Sequence, residues 1–223
     1  PFERLDLECP IDLVEEIARL YGYNKISLTL PKMDTWGAFT NGQRIEMLSK
    51  QELFCRGVDE ILTYSFVSEK ELDKINVSES SLLRNQVKLI NPLGEEFSTM
   101  RTTLLPSLLE VLSRNYNRKI KSARLFEIGN TFIPKELPIV QEPIEKKALV
   151  IGTYGQNEDF YALKGIVDGL LSGLNIEGYH YEKESHHPTF HPGRCANIIW
   201  NGHVLGTMGE LHPIVLDNFN IGT

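Results

Sequence analysis

"ANIIWNGHVLGTMGEL", residues 196–211, decides how this chain is read. Two extended runs flank Asn201-Gly202, and Asn-Gly favours a type I′ turn because both central residues need positive φ. The stretch therefore predicts an antiparallel hairpin, and the rest of the chain is read outward from it. "ARLFEIGNTFI" (123–133) and "KKALVIGTYG" (146–155) predict two further strands, with shorter ones at "EILTYSFV" (60–67) and "VKLINPL" (87–93).

Helices lie between these runs. Thr40-x-x-Gln43 has the form of a capping box and opens a helix that ends before Gly57. Ser68-x-x-Glu71 opens a short one. Residues 102–119 are helical provided that Pro106 falls in the first turn, with Leu105, Leu109, Leu112 and Tyr116 on one face. Asp159 caps a helix carrying Phe160, Leu163, Val167, Leu170 and Leu174 at helical spacing. His212-Pro213 reads as another helix start. Hairpins mixed with amphipathic helices predict an α+β fold built on a mostly antiparallel sheet flanked by helices.

At the other end, residues 10–21 predict a helix. Pro10 suits its first turn, Ile11, Val14, Ala18 and Tyr21 form the apolar stripe, and Gly22 terminates it. "NKISLTLPKMDTWGAFTNG" (24–42) has no sustained period and reads as a linker, with a domain boundary near Pro31 to Asp34.

Composition narrows the function classes. With 223 residues, 41% apolar and 24% charged, the chain can bury an ordinary core. No apolar run approaches the roughly 20 residues that span a bilayer, and the N-terminus has no secretory pattern. Pro1 in place of an initiator Met predicts a piece of a longer chain. Cys9, Cys55 and Cys195 are odd in number and lack CxxC spacing, which predicts reduced thiols in a cytoplasmic protein. A net charge of −7 argues against a dedicated nucleic-acid surface. The basic cluster Arg114, Arg118, Lys119 and Lys121 reads as a solvated helix end.

Hydrolase and phosphate-loop motifs are missing. "GLLSG" (169–173) spaces its glycines like a nucleophile elbow but centres on Leu171. "GTYGQNEDFYALKG" (152–165) fits neither glycine-rich phosphate motif. "HHPTFHPGR" (186–194) brings His186, His187 and His191 together but lacks the two ligand pairs of a zinc site, and reads as a stiff loop of hydrogen-bonded histidines between strands.

"LDLECPIDLVEE" (5–16) is harder to place. In a helix starting near Pro10, Asp12 lies three before Glu15 and four before Glu16, so the three share a side. The helix dipole favours acids there by about 0.3–1 kcal/mol each, and Arg19, four after Glu15, can neutralise one. Asp6 lies outside this account, on an extended run between Leu5 and Leu7 that can aim it back at the helix start. A few carboxylates with room for water are what a small dication needs. Spacing alone still favours capping.

Five stretches resemble one family in its own order: "RLDLECPIDLVEEIARLYGYNKI" (4–26), "LINPLGEEFSTMRTTLLPSLLEVLSRNYNR" (89–118), "RLFEIGNTF" (124–132), "FYALKGIVDGLL" (160–171) and "HPGRCANIIWNGHVLGTMGELHP" (191–213). That family is the beta subunit of bacterial phenylalanyl-tRNA synthetase. The resemblance implies that residues 1–32 are the tail of a metal-binding domain and residues 33–223 a class II aminoacyl-tRNA synthetase-like core, with the family's editing and anticodon-binding domains outside the chain. It implies an alpha subunit as partner in a heterotetramer of two alpha and two beta, tRNA bound through the holoenzyme, and ATP consumed by it. It also places Asp6, Asp12, Glu15 and Glu16 on the family's four magnesium-ligand positions, in a site shared with the alpha subunit.

The same resemblance implies a core that is silent in catalysis. Active class II enzymes stabilise the charge on the reacting phosphate with fixed arginines. Where their second motif continues into an arginine, this chain has Ile133 and Pro134. His191 stands where the catalytic subunit has an acidic residue, and no glycine-rich third motif with its arginine is present. The helix at 104–118 resembles the class II interface helix or is an ordinary core helix. Two other functions remain open on the sequence: a free-standing class II adenylate-forming enzyme, and a pure interaction module.

Overall fold

A computed structural model describes residues 3–34 and 36–222 of the chain, so Thr35 within the predicted linker, and the outermost residues of the two predicted domains, lie outside the described residues. The chain divides into two compact units, Pro1–Phe39 and Thr40–Thr223.

The first unit carries one α-helix, α1 (Pro10–Tyr21), with Pro10 in its first turn as the sequence predicts. No residue of α1 is buried.

The second unit is built on a sheet of β1 (Asp59–Glu60), β4 (Ala123–Ile133) and β5 (Ile144–Tyr154). β4 and β5 pair antiparallel without a slip from Ala123↔Tyr154 to Ile133↔Ile144. β1 joins the other edge of β4 in parallel, with Asp59 opposite Leu125. Successive side chains on a strand point to opposite faces, and β4 shows this directly. Leu125 joins one core with Leu108, Leu109 and Leu112 of α4 (Leu105–Asn117), while Phe126 joins the other with Leu53 of α2 (Asn41–Phe54) and Ile166 and Leu170 of α5 (Phe160–Gly173). The sheet is thus sandwiched between α4 on one face and α2 with α5 on the other.

α5 serves two cores because two of its i, i+4 ridges are apolar. Ile166 and Leu170 face the first sheet. Val167 and Leu171 pack with Ile198 of a second sheet, β6 (His180–Lys183), β7 (Phe190–Trp200) and β8 (His203–Leu211). β6–β7 and β7–β8 are both antiparallel. The short α6 (Pro213–Asn218) follows, its start capped by the His212 ring accepting from the Ile214 N–H at 3.2 Å.

The helix starts follow their capping chemistry. Thr40 and Gln43 exchange the reciprocal bonds of a capping box, and Asp159 accepts from the Ala162 N–H at 2.7 Å. Pro106 falls in the first turn of α4, where its missing N–H has no partner to lose. At the hairpin tip Asn201 and Gly202 have φ of 50° and 77°, as a type I′ turn requires, and Trp200 pairs with His203. Nothing lies within 4 Å of where a Cβ on Gly202 would stand, so Gly202→Ala acts through backbone strain alone. It is expected to cost about 1–2 kcal/mol. Chemical denaturation monitored by circular dichroism checks this, and an unchanged midpoint would rule the strain out.

Four local expectations are corrected. "EILTYSFV" (60–67) is not one strand: it contributes Glu60 to β1 and Phe66–Val67 to β2, which pairs with β3 (Thr99–Met100). Between them Thr63 spends its N–H and hydroxyl on a carboxylate rather than on a ladder. "VKLINPL" (87–93) keeps a single bridge, Lys88↔Thr99, because the run opposite it is too short to continue the pairing. Within "HHPTFHPGR", His191 lies in β7 instead of the expected loop. The helix at Glu71–Lys74 (α3) forms, with Lys70 rather than Ser68 at its N-cap.

Candidate functional site

The four carboxylates predicted as magnesium ligands sit in the first unit, and α1 and the run before it set their positions. Asp6 and Glu16 converge on one cation, the guanidinium of Arg4. Its Nη2 donates to Asp6 Oδ2 at 2.7 Å and to Glu16 Oε1 at 3.0 Å. Arg19 takes the other oxygen of Glu16 at 2.5 Å. Arg19 pairs with Glu16, three residues before it, and not with Glu15, four before it, to which the sequence spacing points.

Asp12 is turned elsewhere. At the third position of α1 it reaches back to accept the N–H groups of Glu8 and Cys9, both at 2.8 Å. This is the capping reading of the sequence, made concrete. Glu15 is exposed to solvent. Among the described residues no three His, Cys, Asp or Glu side chains are grouped so as to hold a metal ion. The structure thus brings Asp6 and Glu16 onto one guanidinium, while Asp12 is spent on backbone N–H groups and Glu15 faces solvent. Arg4 is the residue that sequence reasoning missed, and its signal was present as a lone basic residue two before Asp6.

The electrostatics follow the contacts. Hydrogen bonds from Arg4 hold the Asp6 carboxyl down at about 2. Glu16 is lowered by Arg4 and Arg19, and Asp12 mainly by the Cys9 backbone N–H. Asp6 favours the folded unit above its unfolded value, and that contribution is lost as the pH falls through about 2. Carboxyl NMR should therefore show Asp6 titrating near 2, and Arg4→Ala should raise it most of the way toward about 3.9. A midpoint that stays low in Arg4→Ala would remove Arg4 as the cause.

In the second unit the polar centre is a buried ion pair on the α4 face of the first sheet. Arg101 is 3% exposed and Glu127 on β4 is 0% exposed. Arg101 Nη1 donates to Glu127 Oε1 at 2.9 Å and to Thr63 Oγ1 at 2.8 Å, and its Nε donates to the Asn130 carbonyl at 3.0 Å. Thr63 completes the ring by donating its hydroxyl to Glu127 Oε2 at 2.6 Å. Gly129 permits this arrangement, because a Cβ there would stand 2.3 Å from Arg101 Nη2. Nε and Nη1 are thus committed to groups of its own chain, and at 3% exposure the residue acts as a structural tie.

The remaining sequence features fall into ordinary roles. β4 ends at Ile133, which with Pro134 puts no charge after the strand. α4 is a core helix within its unit, with Leu108 at 0% exposure. Arg114, Arg118, Lys119 and Lys121 are exposed around its C-terminal end. His187 accepts from the Thr189 N–H at 3.3 Å and lies 4.6 Å from the Phe190 ring, and burial lowers its pKa. His191 accepts from the Gly193 N–H at 3.1 Å. Cys9, Cys55 and Cys195 are all free thiols, with Cys195 pushed up to about 11 by burial. Among the described residues no helix is long and apolar enough to cross a membrane.

Comparison with solved structures gives the fold a name. The pyrrolysyl-tRNA synthetase of Desulfitobacterium hafniense superposes with a TM-score of 0.64 at 20% identity, over 80% of this chain and 62% of that one. A second structure of that organism's pyrrolysyl-tRNA synthetase gives 0.65 at 19%, over 82% and 63%. At that identity the likeness is one of fold, a mixed α+β arrangement shared with those pyrrolysyl-tRNA synthetases. Sequence relatives are much nearer. The chain is 46% identical to the phenylalanine–tRNA ligase beta subunit of Clostridium tetani and 45% identical to that of Clostridium acetobutylicum, over 99% of its own length in both cases. The Listeria monocytogenes subunit is 34% identical over 99%. The chain spans about 28% of the length of these curated relatives. The family model described as the phenylalanyl tRNA synthetase beta chain CLM domain matches residues 26–223, and the chain belongs to that family.

Proposed function

We propose that this chain is the core of a phenylalanine–tRNA ligase beta subunit, silent in catalysis by itself and a scaffold for the alpha subunit. The holoenzyme, two alpha and two beta subunits in the cytoplasm, attaches phenylalanine to its tRNA at the expense of ATP. The observation that carries this reading is the 46% identity over 99% of the chain to a beta subunit of that ligase. Silence in catalysis is supported by the second unit's polar interior. Arg101 is bound to Glu127, Thr63 and Asn130 of its own chain, and β4 ends in Ile133 with Pro134 after it where the class II resemblance calls for an arginine.

Residues 1–32 are the tail of a metal-binding domain and residues 33–223 the synthetase-like core on a mostly antiparallel sheet. The exposed apolar stripe of α1, including Ile11, Val14 and Tyr21, supports the first assignment by leaving a face to be covered. Magnesium is held by Asp6, Asp12, Glu15 and Glu16 together with the alpha subunit. What supports the site is the convergence of Asp6 and Glu16 on a shared cation, Arg4, with hard oxygens of the kind Mg2+ takes. Asp12 must give up its backbone bonds to join them.

ATP–pyrophosphate exchange with phenylalanine tests the reading on full-length protein. Exchange is expected from the beta subunit combined with its cognate alpha subunit and not from the beta subunit alone. Exchange by the beta subunit alone would replace the reading with a free-standing adenylate-forming enzyme, and failure to co-purify with the alpha subunit would leave a pure interaction module. In the assembled complex, Asp6→Ala with Glu16→Ala is expected to weaken magnesium binding measured by calorimetry. An unchanged titration would reduce the carboxylates to a cap and ion pairs.

A further inference from the structure

Of the three buried side-chain polar atoms that lack a hydrogen-bond partner among the described residues, two belong to the wall of one small cavity. They are Oε2 of Glu71, the first residue of α3, and Nε2 of Gln86, just beyond a 3-10 turn at Leu82–Arg84. Val67, Ser68, Arg101 and Thr102 also line the cavity. It leaves about 10 Å3 for the centre of a water molecule, which is about the minimum that admits one.

We propose that this cavity is a binding site for a single ordered water that accepts from Gln86 Nε2 and donates to Glu71 Oε2. The chemistry excludes other ligands of that size. A bare or ammonium-type cation offers no lone pair to the Gln86 N–H, and an anion would face the Glu71 carboxyl. Elsewhere in the wall, Arg101 Nε and Nη1 are committed to Asn130, Thr63 and Glu127, and the Thr102 hydroxyl to the Leu83 carbonyl. Burial raises the Glu71 pKa, so the carboxyl holds its proton to higher pH than usual. Water, both donor and acceptor, matches either protonation state.

The water has a structural consequence. The connection 76–98 contains only 3-10 turns and the bridge at Lys88, and it carries the exposed Leu82, Ile90 and Leu93. Arg84 fastens its start through the Val77 and Ser78 carbonyls, and Thr102 holds the Leu83 carbonyl. Gln86, 8% exposed, is the next point at which the connection enters the core. A water shared with Glu71 gives that buried amide its anchor on α3.

A crystal structure of the full-length protein, at a resolution that shows ordered water, tests this. A density peak is expected within about 2.7–3.2 Å of both Glu71 Oε2 and the Gln86 side-chain amide, and it should be lost in Gln86→Leu with the surrounding fold unchanged. A cavity without the peak, or a direct Glu71–Gln86 hydrogen bond, would overturn the proposal. Should Gln86→Leu not fold, NMR cross-relaxation between a long-lived water and the Gln86 side-chain amide protons decides on the native protein. Its presence supports the site and its absence removes it.

Discussion

Glu127→Ala is expected to destabilise the second unit by about 3–5 kcal/mol, because it strands the Arg101 guanidinium in the core. At 3% and 0% exposure neither charge has water to fall back on. The loss reaches beyond one bond: Thr63 gives up both the acceptor of its hydroxyl and that of its N–H. The magnitude is large against the roughly 5–15 kcal/mol that holds a typical domain folded. Arg101→Met with Glu127→Leu should recover much of the loss, since removing both charges removes the desolvation cost as well as the attraction. Urea denaturation of the two variants, with each single substitution to complete the cycle, measures this. A loss below about 1 kcal/mol for Glu127→Ala would mean that the site is wetter than its burial indicates.

Phe126→Ala, one residue earlier and on the opposite face of β4, is expected to cost about 3–5 kcal/mol by a different route. The ring is wholly buried, meets Phe54 edge-on at 5.6 Å between centroids, and packs with Leu53, Val58, Ile166 and Leu170. Its removal leaves a cavity between the sheet and the α2–α5 layer, which long β4–β5 pairing prevents from collapsing. Phe126→Leu refills much of that volume and should recover most of the loss. Thermal unfolding of both variants is the check. Equal Tm values for Phe126→Ala and wild type would place the ring outside the core. The two substitutions at neighbouring positions thus probe two different layers, one polar and one apolar.

The elements that were legible in the sequence are those whose instructions are local. Pro10, Thr40 with Gln43, Pro106 and Asp159 marked helix starts, because a cap is settled by residues within one turn of each other. The run 123–133 was read to its last residue, since β4 is long and its alternation serves two cores. "EILTYSFV" and "VKLINPL" failed because pattern describes what a strand looks like and not whether a partner of sufficient length exists. Glu127 was passed over as one polar residue inside an apolar strand. Its partner Thr63 lies 64 residues away, and no local pattern encodes that distance.

The carboxylates at residues 6–16 show the same division. Spacing alone established that Asp12 could cap α1, and the folded chain uses it so. That Asp6 and Glu16 would share Arg4 depended on how the extended run lies against the helix, which is a matter of packing.

By itself the sequence determined the Asn201-Gly202 hairpin, the starts of α1, α2 and α5 and, through five stretches in one order, the family to which the chain belongs. Only the tertiary structure decided the parallel addition of β1 to β4, the closure of Arg101 on Glu127 and Thr63, and the meeting of Glu71 and Gln86 at one cavity. The physical reason is range. Turn and cap preferences are set by backbone dihedrals and bonds within a few residues, whereas a buried charge or an orphaned amide finds its partner only once distant segments have been brought into the same core.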